Sequence, residues 1–253
     1  MTAPPIRLAD PVGPADAPLL LLGPSLGTST ILWDRVIPDL SERFRVVAWD
    51  LPGHGAAAPA SAPFTVGEIA DTLAEAIPGP VLSAGISLGG AVGLELLLRH
   101  PEKVVKAAIL CSAARIGAAE AWRERAAQVR RQGTSSLIAP SAQRWFAPGT
   151  TAADPVLTGR LLHALQDADD ESYALCCEAL AAFDVRARLG EIRVPVLAVW
   201  GHHDAVTPET SAREIADGVQ NGRALGLGEA AHLPAVDDPA ATARTLIDFF
   251  EES

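Results

Sequence analysis

The sequence holds three cysteines in 253 residues, too few and too irregularly spaced for a disulfide framework or a thiolate metal site. Cys176 and Cys177 are adjacent, a poor placement for a structural disulfide, so they and Cys111 are expected as reduced thiols. No apolar run approaches the roughly 20 residues that a membrane-crossing helix needs. The opening stretch MTAPPIRLADPVGPADAP has neither the basic n-region nor the apolar h-region of a secretory signal, which predicts a cytoplasmic protein. Positive charge is also scarce: 20 Lys and Arg face 31 Asp and Glu, a net charge of −11. That balance argues against a nucleic-acid partner and against docking on an anionic membrane, both of which need a basic stripe. No internal repeat or low-complexity linker is visible, and a homo-oligomer is left open.

What is present is an apolar interior. Hydrophobic residues make up 49% and charged residues 20%, which excludes a disordered chain and allows one large domain or a core with an inserted lobe. Short apolar runs alternate with segments of helical period, the pattern of an α/β protein whose doubly wound, mostly parallel sheet carries helices on both faces. Strands are expected at Leu19 to Leu22, Arg45 to Trp49, Val81 to Ile86, Ala107 to Cys111 and Val194 to Trp200. Helices are expected at Val66 to Ile77, stopped by Pro78, at Leu88 to His100, stopped by Pro101, and at Ala240 to Glu252. After Cys111 the alternation lapses for some eighty residues, and Ala119, Trp122, Ala126 and Val129 form an apolar stripe at helical spacing ended by Gly133. Residues 113–190 carry nine arginines against nine acidic residues, so the whole negative excess lies outside them. These features predict an α/β core of residues 1–112 and 191–253 with an inserted helical cap at 113–190.

The chemistry centres on GISLG at Gly85 to Gly89. It fits G-x-S-x-G in the context that gives the pattern meaning, a strand before and a helix after, so that Ser87 projects from a strained turn at the sheet's carboxyl edge. A serine hydroxyl needs an imidazole to take its proton, and the imidazole needs an anion to fix its tautomer. Asp204 in VWGHHDAVTP follows a strand and His232 in GEAAHLPAVDDP precedes the final helix, completing the order Ser, Asp, His. His54 in DLPGHG is read as shaping the pocket rather than titrating in catalysis. His202 and His203 lie too close to Asp204 to reach back to the elbow, and His100 and His163 read as a helix end and a cap surface. Asp237 and Asp238 compete with Asp204 for the acid but look like helix N-terminal residues. Donors for a developing oxyanion are expected from the backbone N–H of Leu88, after the serine, and of Leu26 in GPSLGTSTILW.

With these pieces in place the chain resembles the α/β-hydrolase superfamily over essentially its whole length, and within it the 3-oxoadipate enol-lactone hydrolases of the beta-ketoadipate pathway. The resemblance is carried by SLGTSTILWD, ERFRVVAWDLPGHG, GISLGG, CCEALAAFDVRARLGEIRVPVLAVWGHHDAVTP and AAHLPAVDDP. Pro24 departs from the Asn or His usual before that oxyanion loop, and DLPGHG lacks the arginine often found before GHG. The likeness implies a carboxylic-ester hydrolase that opens an enol-lactone through an acyl-enzyme with no cofactor and no metal. Its small anionic lactone or ester substrate would need a cation for its free carboxylate. The candidates are Arg144 with Trp145 in QRWFAPG and Trp122 with Arg123 on the first cap helix, beside Ser25 of the SLGT loop. Two other readings stand: the same triad acting on another ester, lactone or C–C bond, and a non-catalytic binding protein on this fold.

Overall fold

The computed structural model describes residues 3–252. Seven strands form one sheet: β1 (Arg7–Leu8), β2 (Leu19–Gly23), β3 (Arg45–Asp50), β4 (Val81–Ile86), β5 (Val104–Leu110), β6 (Val196–Gly201) and β7 (Gly222–Leu227). Their spatial order is β1-β3-β2-β4-β5-β6-β7, and only the β1–β3 pair is antiparallel. Between β2 and β4 lie α1 (Ile37–Leu40) and α2 (Val66–Ala76), and α3 (Leu88–Arg99) links β4 to β5. The long connection from β5 to β6 carries α4 (Ala119–Gln132), α5 (Ile138–Trp145), α6 (Thr150–Ala153), α7 (Pro155–Asp167) and α8 (Asp170–Ala182). Next come α9 (Glu209–Gly218), between β6 and β7, and finally α10 (Pro234–Asp237) and α11 (Pro239–Glu251). No helix among the described residues is long and apolar enough to cross a membrane.

The central strands read as continuous apolar runs because both their faces are covered: all six residues of β4 and of β6 are buried. The five strands expected from the sequence are present, β4 with the expected bounds and the other four with shifted ends. Strand β5 starts three residues early, since Val104 pairs with Val81, and ends before Cys111, whose φ of 42° turns the chain out of the sheet. Strand β6 begins only after Pro195, which has no N–H to give a ladder. The sequence pattern misses the short β1, α1 and α10 and two longer elements, β7 and α9. Strand β7, GRALGL, is half-exposed and has two glycines, so it lacks an apolar run; α9 is the amphipathic ETSAREIADG.

Sheet order places the site. The chain runs from β2 outward to β3 and then crosses back to β4 on the other side of β2. The β2–β4 seam is therefore a topological switch point, where loops from adjacent strand ends diverge and leave a crevice. Gly23 at the end of β2 pairs with Gly85 near the end of β4, so the loop after β2 and the turn after β4 face each other.

Candidate active site

Ser87 stands between β4 and α3 with φ 56° and ψ −115°, a conformation that costs a non-glycine residue on the order of 1–3 kcal/mol. The turn is tight enough to exclude side chains around it. A Cβ at Gly85 would lie 2.3 Å from Gly89 O, and one at Gly89 would lie 2.6 Å from Gly23 C. The strained residue is held from both sides: Ser87 N–H donates to Leu110 O at 3.0 Å, and Ser112 Oγ donates to Ser87 O at 2.7 Å.

Asp204 and His232 come together although 28 residues apart, with His232 Nδ1 3.0 Å from Asp204 Oδ2. The other carboxylate positions are filled from Asp204's own turn, Oδ1 by the N–H groups of Val206 (2.7 Å) and Thr207 (3.2 Å), Oδ2 also by the Thr207 hydroxyl (2.7 Å). Burial alone would push the Asp204 carboxyl up. The facing imidazole, the Thr207 hydroxyl and the Val206 N–H outweigh it and hold Asp204 below the usual carboxylate range. An ionised carboxylate is acceptor only, so the proton in this contact is carried by His232 Nδ1. Ser87 and His232 both line one cavity; no Ser87–His232 hydrogen bond is formed among the described residues, a contact that often tightens only when substrate is seated.

The backbone N–H groups of Leu26 and Leu88 have no hydrogen-bond partner among the described residues. Leu88 is the first residue of α3, where helical geometry leaves the N–H free. The loop that carries Leu26 is tied to the elbow by Gly89 N–H donating to Pro24 O at 2.9 Å. A free N–H from each side of the β2–β4 seam is what a developing oxyanion requires.

The cavity has a volume of about 220 Å³. Of the residues expected to meet substrate, Ser25, Trp122, Arg144 and Trp145 line it together with Leu26. Arg123 does not: it is exposed and pairs with Glu120 at 3.3 Å. Arg125 takes its place in the cavity wall, with its guanidinium 4.6 Å from the Trp122 ring centre. Helical phase explains the difference, since residues three apart share a face and neighbours do not, so Arg125 lies on the side of Trp122 and Arg123 does not. Neither Arg125 nor Arg144 has an acidic partner among the described residues, whereas Arg130, Arg160, Arg186 and Arg188 of the same segment are all paired. Burial and then the Arg125 charge push the Arg144 pKa down.

His54 does not line the cavity. It is buried behind Tyr173, which does, with the two rings stacked at 6.0 Å. Its Nδ1 donates to Pro52 O at 2.8 Å while Nε2 has no partner, and burial lowers its pKa to about 4. Because the native state refuses a proton that the unfolded chain accepts near pH 6.5, stability falls as pH drops below 6.5 and levels off near 4. The loss is roughly 3 kcal/mol at about 1.4 kcal/mol per unit. Urea unfolding at pH 7 and pH 4.5 should show this drop in the wild type and a smaller one in His54→Gln; equal drops would exclude His54 as its source.

The two late aspartates divide. Asp238 is the N-cap of α11 and accepts from Ala241 N–H at 3.0 Å, as expected. Asp237 is not a helix N-terminal residue. It ends α10 and accepts from Ala147 N–H, the Thr150 hydroxyl and Ala231 N–H; burial raises its carboxyl above the usual range, and these bonds offset only part of the rise. Nothing in the sequence signalled this, because its partners lie far away in the chain. The three thiols are free and buried.

A model of the alpha/beta hydrolase family matches residues 19–245. The chain is 34% identical to 3-oxoadipate enol-lactonase 2 of Acinetobacter baylyi, over 90% of this chain and 87% of the relative. It is 33% identical to a pimeloyl-(acyl-carrier protein) methyl ester esterase of Neisseria meningitidis, over 89% and 90% of the two chains. Among solved structures it superposes on the enol-lactonase from Burkholderia xenovorans with a TM-score of 0.93 at 30% identity, covering 98% of this chain and 96% of the other.

Proposed function

The chain belongs to the alpha/beta hydrolase family, and from that premise we propose that it is a serine carboxylic-ester hydrolase that opens 3-oxoadipate enol-lactone to 3-oxoadipate, with residues 113–190 as a cap over the core. The observation that carries this reading is the convergence of Ser87 and His232 with two arginines that lack acidic partners, on one small cavity. Such a wall suits a compact ester that bears a free carboxylate.

In this reading His232 Nε2 takes the Ser87 proton as Oγ attacks the lactone carbonyl, and Asp204 stabilises the imidazolium that forms. The Leu26 and Leu88 N–H groups receive the developing oxyanion. The ring C–O bond breaks, the ring oxygen leaves as an enolate that remains part of the acyl chain, and the imidazolium returns its proton as the enolate becomes the ketone, leaving His232 neutral. His232 then takes a proton from water, which attacks the acyl-enzyme and frees Ser87. Arg125 and Arg144 hold the substrate carboxylate, and the faces of Trp122 and Trp145 flank the rest.

A second reading, hydrolysis of a methyl ester, is favoured by the likeness to the Neisseria esterase. The cavity of about 220 Å³ counts against a long acyl chain, because pockets that enclose ligands of drug size run from about 300 to 1,000 Å³. Turnover of the enol-lactone beside a panel of neutral and methyl esters decides between them. Arg144→Ala should raise KM for the anionic lactone by about tenfold to a hundredfold, the loss of a charge-assisted bond, and change KM for a neutral ester little. Equal effects on both substrates would remove the arginine from carboxylate binding.

A further inference from the structure

We propose that Asp237 is a positioning residue that couples the setting of His232 to the seating of the helical segment carrying Arg144 and Trp145. The proposal rests on the reading of His232 as the base. Asp237 Oδ1 accepts from Ala147 N–H at 2.9 Å and from the Thr150 hydroxyl at 2.7 Å, while Oδ2 accepts from Ala231 N–H at 2.7 Å. Ala147 and Thr150 lie just beyond Trp145, and Ala231 immediately precedes His232. A second tie runs beside the first, from Leu233 N–H to Trp145 O at 3.1 Å. The residues on both sides of His232 are therefore bonded to the segment that lines the cavity, Ala231 through a carboxylate and Leu233 directly.

The imidazole also has a fixed side. Ala231 O accepts from the buried Cys111 thiol at 3.4 Å, and the ring itself is bonded to Asp204. With these anchors, a displacement of the Trp145 turn is passed to the aim of Nε2 rather than absorbed by a slack loop. A misplacement of about 1 Å at reacting groups can cost on the order of a hundredfold in rate. Substrate that seats the arginine-bearing segment thereby also sets the base.

Two substitutions break the bridge at opposite ends. Asparagine offers one acceptor oxygen where the carboxylate offers two. In Asp237→Asn the oxygen stays with the two donors from Ala147 and Thr150, and the amide NH2 is left facing Ala231 N–H, which removes the carboxylate tie of the His232 loop and leaves only the Leu233–Trp145 bond to the segment. Thr150→Val removes a bond on the segment side and leaves the loop untouched.

The test compares both variants with wild type, with kcat expressed per site labelled by a fluorophosphonate and with proton NMR of His232 Nδ1–H. Expected are kcat falling by about tenfold in Asp237→Asn and about threefold in Thr150→Val, within the range a sub-ångström misplacement gives, and the Nδ1–H resonance shifting in both. A purely structural bridge would lower Tm while per-site kcat and the resonance stay at wild-type values, and that result overturns the proposal. If Asp237→Asn does not fold, Thr150→Val decides alone by the same criteria. Failure of wild-type Ser87 to label would refute the catalytic reading, whereas the resonance, which needs no turnover, still decides the coupling.

Discussion

Replacing Asp204 with asparagine lowers turnover by about 10⁴-fold and leaves the fold in place, the loss expected when the imidazole adopts the wrong tautomer. The hydrogen bonds around Asp204 say why. Oδ1 faces two backbone N–H groups that can only donate, from Val206 and Thr207, so the single oxygen of an asparagine is drawn to that side. Its NH2 then occupies the place of Oδ2, opposite the Thr207 hydroxyl and His232 Nδ1. The hydroxyl can rotate to accept, but His232 must present a bare Nδ1 and move its proton to Nε2. A protonated Nε2 cannot take the Ser87 proton. Steady-state kinetics and ¹⁵N NMR of the ring check both halves: activity within tenfold of wild type, or an unchanged tautomer, would show that Asp204 does not orient the base.

The largest effect on stability is expected from Gly85→Ala. The added Cβ would lie 2.3 Å from Gly89 O, 2.4 Å from Gly89 C and 2.7 Å from Gly90 N, all backbone atoms of the first turn of α3. Neither side can yield, since Gly85 is paired to Gly23 on one side and to Ile109 on the other. A clash of this kind belongs among the exceptional losses of more than about 4 kcal/mol, against a total stability of roughly 5–15 kcal/mol. The variant should be insoluble or melt at least about 10 °C below wild type. Gly159→Ala, inside α7 where no atom lies within 4 Å of the new Cβ, should instead stabilise by about 0.5–1 kcal/mol. Similar melting temperatures for the two variants would show that the elbow is not packed as described.

Much of this molecule is written locally. Strands β2, β3, β4 and β6 and the second half of β5 are largely apolar runs buried on both faces, and α2, α3 and α11 are bounded by proline or capping residues. GISLG names a tight turn because glycine is the only residue that fits beside Gly89 O and Gly23 C. Strand β7 was illegible because an edge strand with one face toward solvent needs no apolar run. The arginine on the first helix after β5 was misplaced by two positions, from Arg125 to Arg123, because proximity in sequence to Trp122 is not proximity on a helix.

The sequence by itself determined the succession of β2 to β6 with α2, α3 and α11 and the chain order of Ser87, Asp204 and His232, since periodicity, turns and a nucleophile motif each act over a few residues. Only the tertiary structure decided which arginines reach the cavity without an acidic partner, that His54 lies behind Tyr173, and that Asp237 binds residues 87 and 90 positions away. Those facts depend on helical phase and on the meeting of distant segments, and a linear pattern carries neither.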